Sequence, residues 1–234
     1  AILEGMTFTL GSYTVSAPTL ICLLLFCGAV GKSAQLPLHV WLPEAHPAAP
    51  SHVSALLSGA MINAGFYGLI RSAGMLAPAG EAPEWWGWAL LILGLATALM
   101  GILKATAQSN LKRLLAYSSV ENMGLMVMGL GTGLIGQSCG NAWIAVLGFS
   151  GALLHMLNHS AFKGLLFLCA GEVLHATGTV RMQYLGGLQK RLPLLGALFG
   201  VGAAAIACLP PFNGFTGELV LALSLLDAPA LVGV

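Results

Sequence analysis

Two histidines and a lysine are spaced for proton transfer along one face of a helix. His155, His159 and Lys163 follow one another at intervals of four residues in a mainly apolar stretch. In an α-helix, such positions stay within about 80° of one another and rise by ~6 Å per step. One or two water molecules can bridge such gaps, and histidine titrates near neutral pH. The spacing therefore predicts a row of groups suited to pass protons.

Other interpretations of this row fit the sequence less well. A metal site is disfavoured because the HExxH pattern is missing and no carboxylate or cysteine lies near in sequence. A haem would normally be held by residues on facing helices. Interhelical hydrogen bonds alone could explain one histidine, but three ionisable groups on one face favour a proton path.

A lysine and a glutamate lie beside two proline-containing interruptions in apolar sequence. Lys32 precedes Leu36-Pro37, and Glu218 follows LPPFNG at 209–214. A charge at membrane depth costs about 2.5–3.5 kcal/mol on insertion scales, so such residues usually face a water-filled interior. We therefore predict that Lys32 and Glu218 belong to the same path.

The sequence leaves the role of Glu121 open between two interpretations. Glu121 either takes part in the path as the partner of a lysine, or lies near a helix end within reach of Lys112 and Arg113. Five other ionisable residues are interpreted as solvated turn or loop groups, and all but His52 are also candidates for proton uptake at the surface: Glu44, His46, His52, Glu172 and His175.

The composition is that of a membrane protein. Apolar residues make up 57% of the chain and charged residues 7%, against about 25% charged residues in soluble domains. The net charge of +1 gives no electrostatic reason to expect nucleic-acid binding. The five cysteines form no CxxC pair, so we interpret them as small buried apolar residues and expect no cofactor or metal in this chain.

The elements that must position these residues are membrane helices. Several apolar stretches reach the ~20 residues that cross a bilayer, which predicts an all-α, polytopic membrane helix bundle. The six predicted segments are about 15–42, 51–71, 85–106, 110–130, 143–171 and 193–226. The first and last are interrupted, and paired broken helices are typical of inverted-repeat transporters. Simple proline kinks are the alternative, and the ionisable residues beside both breaks favour the transporter.

Loop charges predict the orientation of the bundle. Six basic residues fall on one side: Lys104, Lys112, Arg113, Arg181, Lys190 and Arg191. The other side carries Arg71 with Glu81 and Glu84. The positive-inside rule then places the basic loops and the turn at 43–50 in the cytoplasm, and residues 1–14 outside the cytoplasmic (inner) membrane. Because the chain begins at Ala1 and stops after an apolar run, we expect it to be part of a longer membrane protein.

Four long motifs resemble a known family. They are GKSAQLPLHVWLPEAHPAAPSHVSALLSGAMINAGFYGLIR at 31–71, LKRLLAYSSVENMG at 111–124, HMLNHSAFKGLLFLCAGEV at 155–173 and LPPFNGFTGELVL at 209–221. They are similar to the proton-translocating, antiporter-like membrane subunits of respiratory complex I, Mrp-type cation/proton antiporters and membrane-bound [NiFe] hydrogenases. Within that family, the chain looks most similar to the large antiporter-like subunit of formate hydrogenlyase-type hydrogenases.

The resemblance implies two inverted five-helix repeats. Residues 15–71 would then end the first repeat, and 72–234 would form most of the second. Lys32 matches the family's central lysine, whose glutamate partner lies on an earlier helix that this chain does not include. His155, His159 and Lys163 match the connecting His/Lys stretch, and Glu218 matches the terminal charged residue. Relatives carry a histidine or lysine near Ser58 or Asn63, and here both positions are uncharged.

The function implied is proton translocation by a non-catalytic, antiporter-like subunit of a redox-driven complex. That complex would be of the hydrogenase or NADH:quinone oxidoreductase type. The expected partners are other membrane subunits and a peripheral redox arm that carries the nickel–iron and iron–sulfur centres. Two alternatives stay open: an Mrp-like Na+/H+ antiporter without redox partners, and a membrane anchor that has the fold but does not pump.

Overall fold

Helices form most of the computed structural model, which describes residues 7–10, 13–76 and 84–226. The α-helices of these residues are α1 Ala17–Lys32, α2 Trp41–Ala48, α3 Ser51–Leu56, α4 Ile62–Leu76, α5 Glu84–Thr106, α6 Leu111–Ser138, α7 Ala142–Thr177, α8 Leu188–Arg191, α9 Pro193–Ile206 and α10 Asn213–Leu226. A π-helical turn, Leu57–Met61, joins α3 to α4. Glu81 and most of the predicted extracytoplasmic segment lie outside the described residues.

A short β-hairpin precedes the first helix. Strand β1, Thr7–Leu10, pairs with strand β2, Tyr13–Ser16, in antiparallel register. Both strands consist mainly of β-branched and aromatic residues, which favour the pleated strand conformation. The predicted start of the first membrane segment, about Val15, lies in β2, and helix α1 begins two residues later, at Ala17.

Within the described residues, three helical stretches are long and apolar enough to cross a membrane. They are Ser51–Met75, Trp85–Thr106 and Ala142–Thr177. The two broken segments contribute shorter apolar helices, among them Pro193–Ile206 and Asn213–Leu226. Helix α6 is as long as these but less apolar, and it is the most enclosed helix of the bundle, packed between α5 and α7 with α2 and α10 alongside. Contact with protein on most sides explains why it tolerates polar residues that lipid would not.

The prediction of a turn at 43–50 was wrong over most of that range. Residues Trp41–Ala48 form helix α2, so the broken helix continues past Leu42, and only Ala49 and Pro50 separate it from α3. Pro43 lies in the first turn of α2, where a backbone N–H has no partner within the helix in any case. Three prolines in eight residues look like a turn in sequence, but Pro43 and Pro50 lie at the starts of α2 and α3, where proline is tolerated, and Pro47 lies in the last turn of α2.

The two breaks share the same backbone features at the same spacing. After α1, Ala34 has φ 52° and Leu36-Pro37 is a cis peptide. After α9, Cys208 has φ 52° and Pro210-Pro211 is a cis peptide. Each break thus carries a left-handed residue two positions before the cis bond, and a helix resumes shortly after it. The two interrupted helices therefore have matching local designs.

Glycines allow α5 and α6 to approach closely at the centre of the bundle. A Cβ atom at Gly124 of α6 would lie 2.5 Å from the backbone N of Ala98, and one at Gly101 of α5 would lie 2.5 Å from the backbone N of Glu121. Small residues at such crossings are typical of membrane helix packing. With α5 fixed against one side of α6, the opposite side of α6 meets α7, where the ionisable residues lie.

Candidate functional site

Helix α7 holds its three ionisable residues on one buried face. His155, His159 and Lys163 are each 0% exposed; together they are called the α7 stripe. The side chain of Asn141 accepts a hydrogen bond from the backbone N of Ile144 and caps the start of the helix, and Gly178 ends it in a left-handed conformation. An α-helix of this length, roughly 54 Å, is continuous through the depth of a bilayer.

Both ends of the α7 stripe are bonded to α6. The Nζ of Lys163 donates to the carbonyl of Leu115 at 2.8 Å and to the Oγ of Ser118 at 2.5 Å. The Nε2 of His155 lies 2.9 Å from the Oδ1 of Asn122. Because the Nδ2 of Asn122 donates to the carbonyl of Ser118 at 2.7 Å, its Oδ1 is the acceptor and Nε2 of His155 carries a proton.

His159, in the middle of the stripe, is held differently. Neither of its ring nitrogens has a hydrogen-bond partner among the described residues. Its ring meets that of Phe162 edge-on, with centroids 5.5 Å apart. No protein group in the described chain therefore fixes the tautomer of His159, whereas Asn122 fixes that of His155.

Two carboxyl groups face a common cavity next to the stripe. Glu121 and Glu218 line a cavity of about 540 Å³, together with Ser118, Cys208 and mainly apolar side chains. Because the hydroxyl of Ser118 also accepts a hydrogen bond from Lys163, the stripe is joined to this cavity through one hydroxyl group. The structure thus brings Glu121 and Glu218 together near Lys163.

Glu121 is not engaged with the basic residues at the start of α6. Arg113 forms a salt bridge with Glu44, and the Nζ of Lys112 donates to the carbonyl of Ala49 at 2.9 Å. Of the two interpretations that the sequence left open, the geometry favours a place for Glu121 beside the stripe.

Lys32 lies apart from the stripe. It is exposed at the end of α1 and lines a largely apolar groove of about 460 Å³ with Leu24, Gly28 and Gly68, among others. A Cβ atom at Gly65 of α4 would lie 2.8 Å from the carbonyl carbon of Lys32. Helix α4 therefore packs directly against the Lys32 backbone and lies between α1 and α7.

Uncharged polar residues connect α4 and its π-helical turn to α6 and α7. The Nδ2 of Asn63 donates to the Oγ of Ser160 at 2.7 Å and to the carbonyl of Gly59 at 2.8 Å. The hydroxyls of Ser58 and Ser119 lie 2.7 Å apart. The sequence marked Ser58 and Asn63 only as positions without charge, because a single π-helical turn leaves no pattern in sequence. Such turns often occur at functional sites.

The surface candidates occupy one end of the bundle. The six basic residues predicted to share a side lie at this end, called the basic end; the hydrogen bond from Leu111 N to the carbonyl of Val180 at 2.9 Å joins the two basic loops there. Glu172 and His175 are exposed in the last turns of α7, as expected of solvated residues. His46, interpreted as a turn residue, is instead fully buried on α2.

The chain is similar to subunits of several membrane complexes. A family model described as "NADH:quinone oxidoreductase/Mrp antiporter, TM" matches residues 3–234. The chain is 41% identical over 234 residues to hydrogenase-4 component B of Escherichia coli strain K12, covering 98% of this chain and 35% of that protein. It is 43% identical over 186 residues to formate hydrogenlyase subunit 3 of the same strain, covering 80% of this chain and 30% of that protein.

A solved structure has the same fold. A chain in the structure of the Mrp complex from Dietzia sp. DQ12-45-1b matches with a TM-score of 0.80 and 27% identity, covering 92% of this chain and 38% of that chain. The chain spans about a third of the length of the two relatives named above. These matches confirm the predicted all-α membrane fold and the resemblance drawn from the four motifs.

Proposed function

Because the chain belongs to the NADH:quinone oxidoreductase/Mrp antiporter family of membrane proteins, we propose that it supplies a proton path to a redox-driven complex of the hydrogenase type. One observation carries this proposal. The three ionisable residues of the α7 stripe are completely buried on one face and are bonded at both ends to α6. Groups that are costly to bury in a membrane interior are typical of ion and proton pathways.

The residues of the stripe have distinct parts in this path. Lys163 donates a hydrogen bond to Ser118, and Ser118 lines the cavity that Glu121 and Glu218 also face. His159 has no hydrogen-bond partner in the described part of the chain, and its ring can accept a proton at one nitrogen while it releases one from the other. Protons would move from Lys163 toward either carboxylate through Ser118 or through water.

Charge coupling along the path would link each proton transfer to the next. A proton that arrives on one group raises the positive charge next to the following group, and the Coulomb energy between them is large in a medium of low dielectric constant. Lys32, on the first broken helix, would take part through the Asn63–Ser160 bridge, which leads from α4 to α7. A change of charge on Lys32 would then alter the electrostatic energy of the stripe residues without direct contact between them.

We extend the proposal to the partners and the orientation. Other membrane subunits would cover the bundle, and a peripheral redox arm would hold the nickel–iron and iron–sulfur centres, because the relatives named above are a hydrogenase component and a formate hydrogenlyase subunit. The chain itself would bind no cofactor. The basic end would face the cytoplasm, since basic loops stay on that side.

The test uses the intact complex that contains this chain, reconstituted into liposomes, with proton movement followed by a pH-sensitive dye. Lys163→Gln should reduce proton transport by at least about tenfold, because a positioned proton-transfer group typically contributes ~10² or more to a rate. Lys104→Gln is the matched control, since Lys104 is exposed near the end of α5. Equal transport by the two variants would refute the proposed path. Subunits that co-purify with the complex identify the electron donor.

A second candidate is a cation/proton exchanger without redox partners. The observation that favours it is the pair of carboxyl groups, Glu121 and Glu218, facing one cavity with the hydroxyl of Ser118. Oxygen ligands of this kind suit a hard cation such as Na+. Proton movement that requires Na+ on the opposite side of the liposome would favour the exchanger, and proton movement that is independent of Na+ but coupled to electron transfer would favour the first candidate.

A further inference from the structure

His46 occupies an unusual place in the described structure. It lies on α2 and is 0% exposed. Its ring stacks on Phe167 of α7 with the centroids 4.4 Å apart and the planes at 16°. The carbonyl of His46 accepts a hydrogen bond from the hydroxyl of Ser54 at 3.2 Å, across the corner between α2 and α3. The ring itself is packed on α7 through Phe167.

Packing alone does not account for a histidine at this position. Neither ring nitrogen of His46 has a hydrogen-bond partner among the residues that the structure describes. A buried polar group without a partner is costly, and an apolar side chain would stack on Phe167 without that cost. The unpaired ring nitrogens of His46 therefore indicate a role beyond packing against Phe167.

Two lysines, Lys163 and Lys112, lie near enough to His46 for their charges to act on its ring. Lys163 lies one helical turn before Phe167 on α7, at the end of the stripe, and both side chains are buried. Lys112 donates to the carbonyl of Ala49, three residues after His46. The ring therefore lies between the stripe and the basic end of the bundle.

A groove on the surface of the basic end is lined by residues that neighbour His46. It has a volume of about 650 Å³ and is lined by residues of α2, α3, α6 and α7, including Pro47, His52, Lys112, Glu172 and His175; it is called the basic-end groove. Pro47 is the neighbour of His46 in sequence, and Lys112 belongs both to the groove and to the surroundings of His46. The His46 ring, which stacks on Phe167 one helical turn from Lys163, therefore lies next to residues that line the groove.

We propose that His46 relays protons between the basic-end groove and Lys163. This inference rests on the proposed function, and it adds a port that joins the stripe to the basic end without passing through Lys32 or the carboxylate cavity. In one transfer, a proton from the groove binds one ring nitrogen of His46, and the proton on the other nitrogen passes to neutral Lys163. The starting arrangement is regained when the ring flips so that its N–H again faces Lys163, or when the ring exchanges protons with water and returns to its starting tautomer.

The experiment removes the ring and then supplies it again in solution. In the intact complex in liposomes, His46→Ala and His46→Gln should each lower proton transport by at least about tenfold. Added imidazole should restore transport severalfold in His46→Ala, where the substitution leaves space for it, but not in His46→Gln. Ser54→Ala is the matched control, because it removes the bond to the His46 carbonyl and leaves the ring in place.

Each outcome bears on the proposal. Wild-type transport in the assembled His46→Ala complex would overturn it, and so would a loss that imidazole does not relieve, since the ring would then act through packing only. If His46→Ala fails to assemble, His46→Gln decides, and unchanged transport in that variant overturns the relay. Lys163→Gln in the same assay distinguishes the relay from the proposed function. If Lys163→Gln loses transport and the His46 variants do not, only the relay is rejected. If neither Lys163→Gln nor the His46 variants lose transport, the proposed function is rejected as well.

Discussion

Lys32 differs from the residues of the α7 stripe in how the fold holds it. Its side chain is exposed to a groove on α1, and no atom of the stripe lies against it. A buried lysine would leave unpaired carbonyls behind on removal, whereas an exposed one leaves the packing intact. A substitution of Lys32 can therefore show an effect on proton transport without an effect on the stability of the complex.

We expect Lys32→Ala to lower proton transport by at least about tenfold while the complex assembles normally. The physical reason is that the substitution removes a charge from the path but removes few packing contacts. Proton movement in liposomes and the yield of assembled complex measure the two effects. Unchanged pumping in Lys32→Ala would exclude this residue from the mechanism.

The different burial of two histidines on α7, His159 and His175, predicts which substitution reduces proton transport more. His159 is fully buried in the stripe, and His175 is exposed in the last turn of α7. His159→Ala should therefore reduce proton transport more than His175→Ala, which removes only one of several groups around the basic-end groove. Parallel transport assays on the two variants provide the measurement. The reverse order would mean that the path runs along a different face of α7.

At the scale of residues, the sequence predicted the stripe because helical periodicity depends only on spacing. His155, His159 and Lys163 share a face in any regular helix. The sequence marked His46 as a turn residue and a candidate for proton uptake, but its burial could not be predicted in the same way, because Pro43 and Pro47 around it indicated a turn. Its burial depends on where α2 packs against α7, which is a property of the whole bundle.

At the scale of elements, the continuous helical stretch Ser51–Met75 connects the two halves of the site. Its π-helical turn lies between Ser54 and Asn63, and residues beside the turn reach α6 and α7. An inserted residue rotates the following part of a helix relative to the preceding part. The turn therefore allows one helix to bond to two neighbours with uncharged side chains where relatives have a charge.

Asn63→Leu should lower proton transport severalfold, because it replaces the bond to Ser160 with an apolar side chain between Lys32 and the stripe. Ser72→Ala is the control on the same helix: Ser72 is also buried, but its hydroxyl donates to the carbonyl of Leu69 within α4. Transport assays and thermal stability of both variants test the idea. Equal transport by the two would show that the path does not cross α4 at Asn63.

At the scale of the whole molecule, apolar segments and motif order predicted the fold class and the family, because membrane spans need only length and composition. The extension of α2 through Pro43 and the β-hairpin at Thr7–Ser16 were not predicted, since both depend on local geometry that alternative patterns fit equally well. The shared design of the two breaks was anticipated from their prolines. The matching left-handed residues, Ala34 and Cys208, could be seen only in the structure.

The two ends of the bundle should lie on opposite sides of the membrane. The basic end carries Lys190 among its six basic residues, and Cys139 is exposed in the connection between α6 and α7 at the other end. If the basic end is cytoplasmic, a membrane-impermeant maleimide should label Cys139 from outside intact spheroplasts, with Cys139→Ser as the control. Lys190→Cys, in a Cys139→Ser background, should be labelled only in inside-out vesicles. Labelling with the opposite pattern would invert the bundle and move the basic-end groove, with His46 behind it, to the outer side.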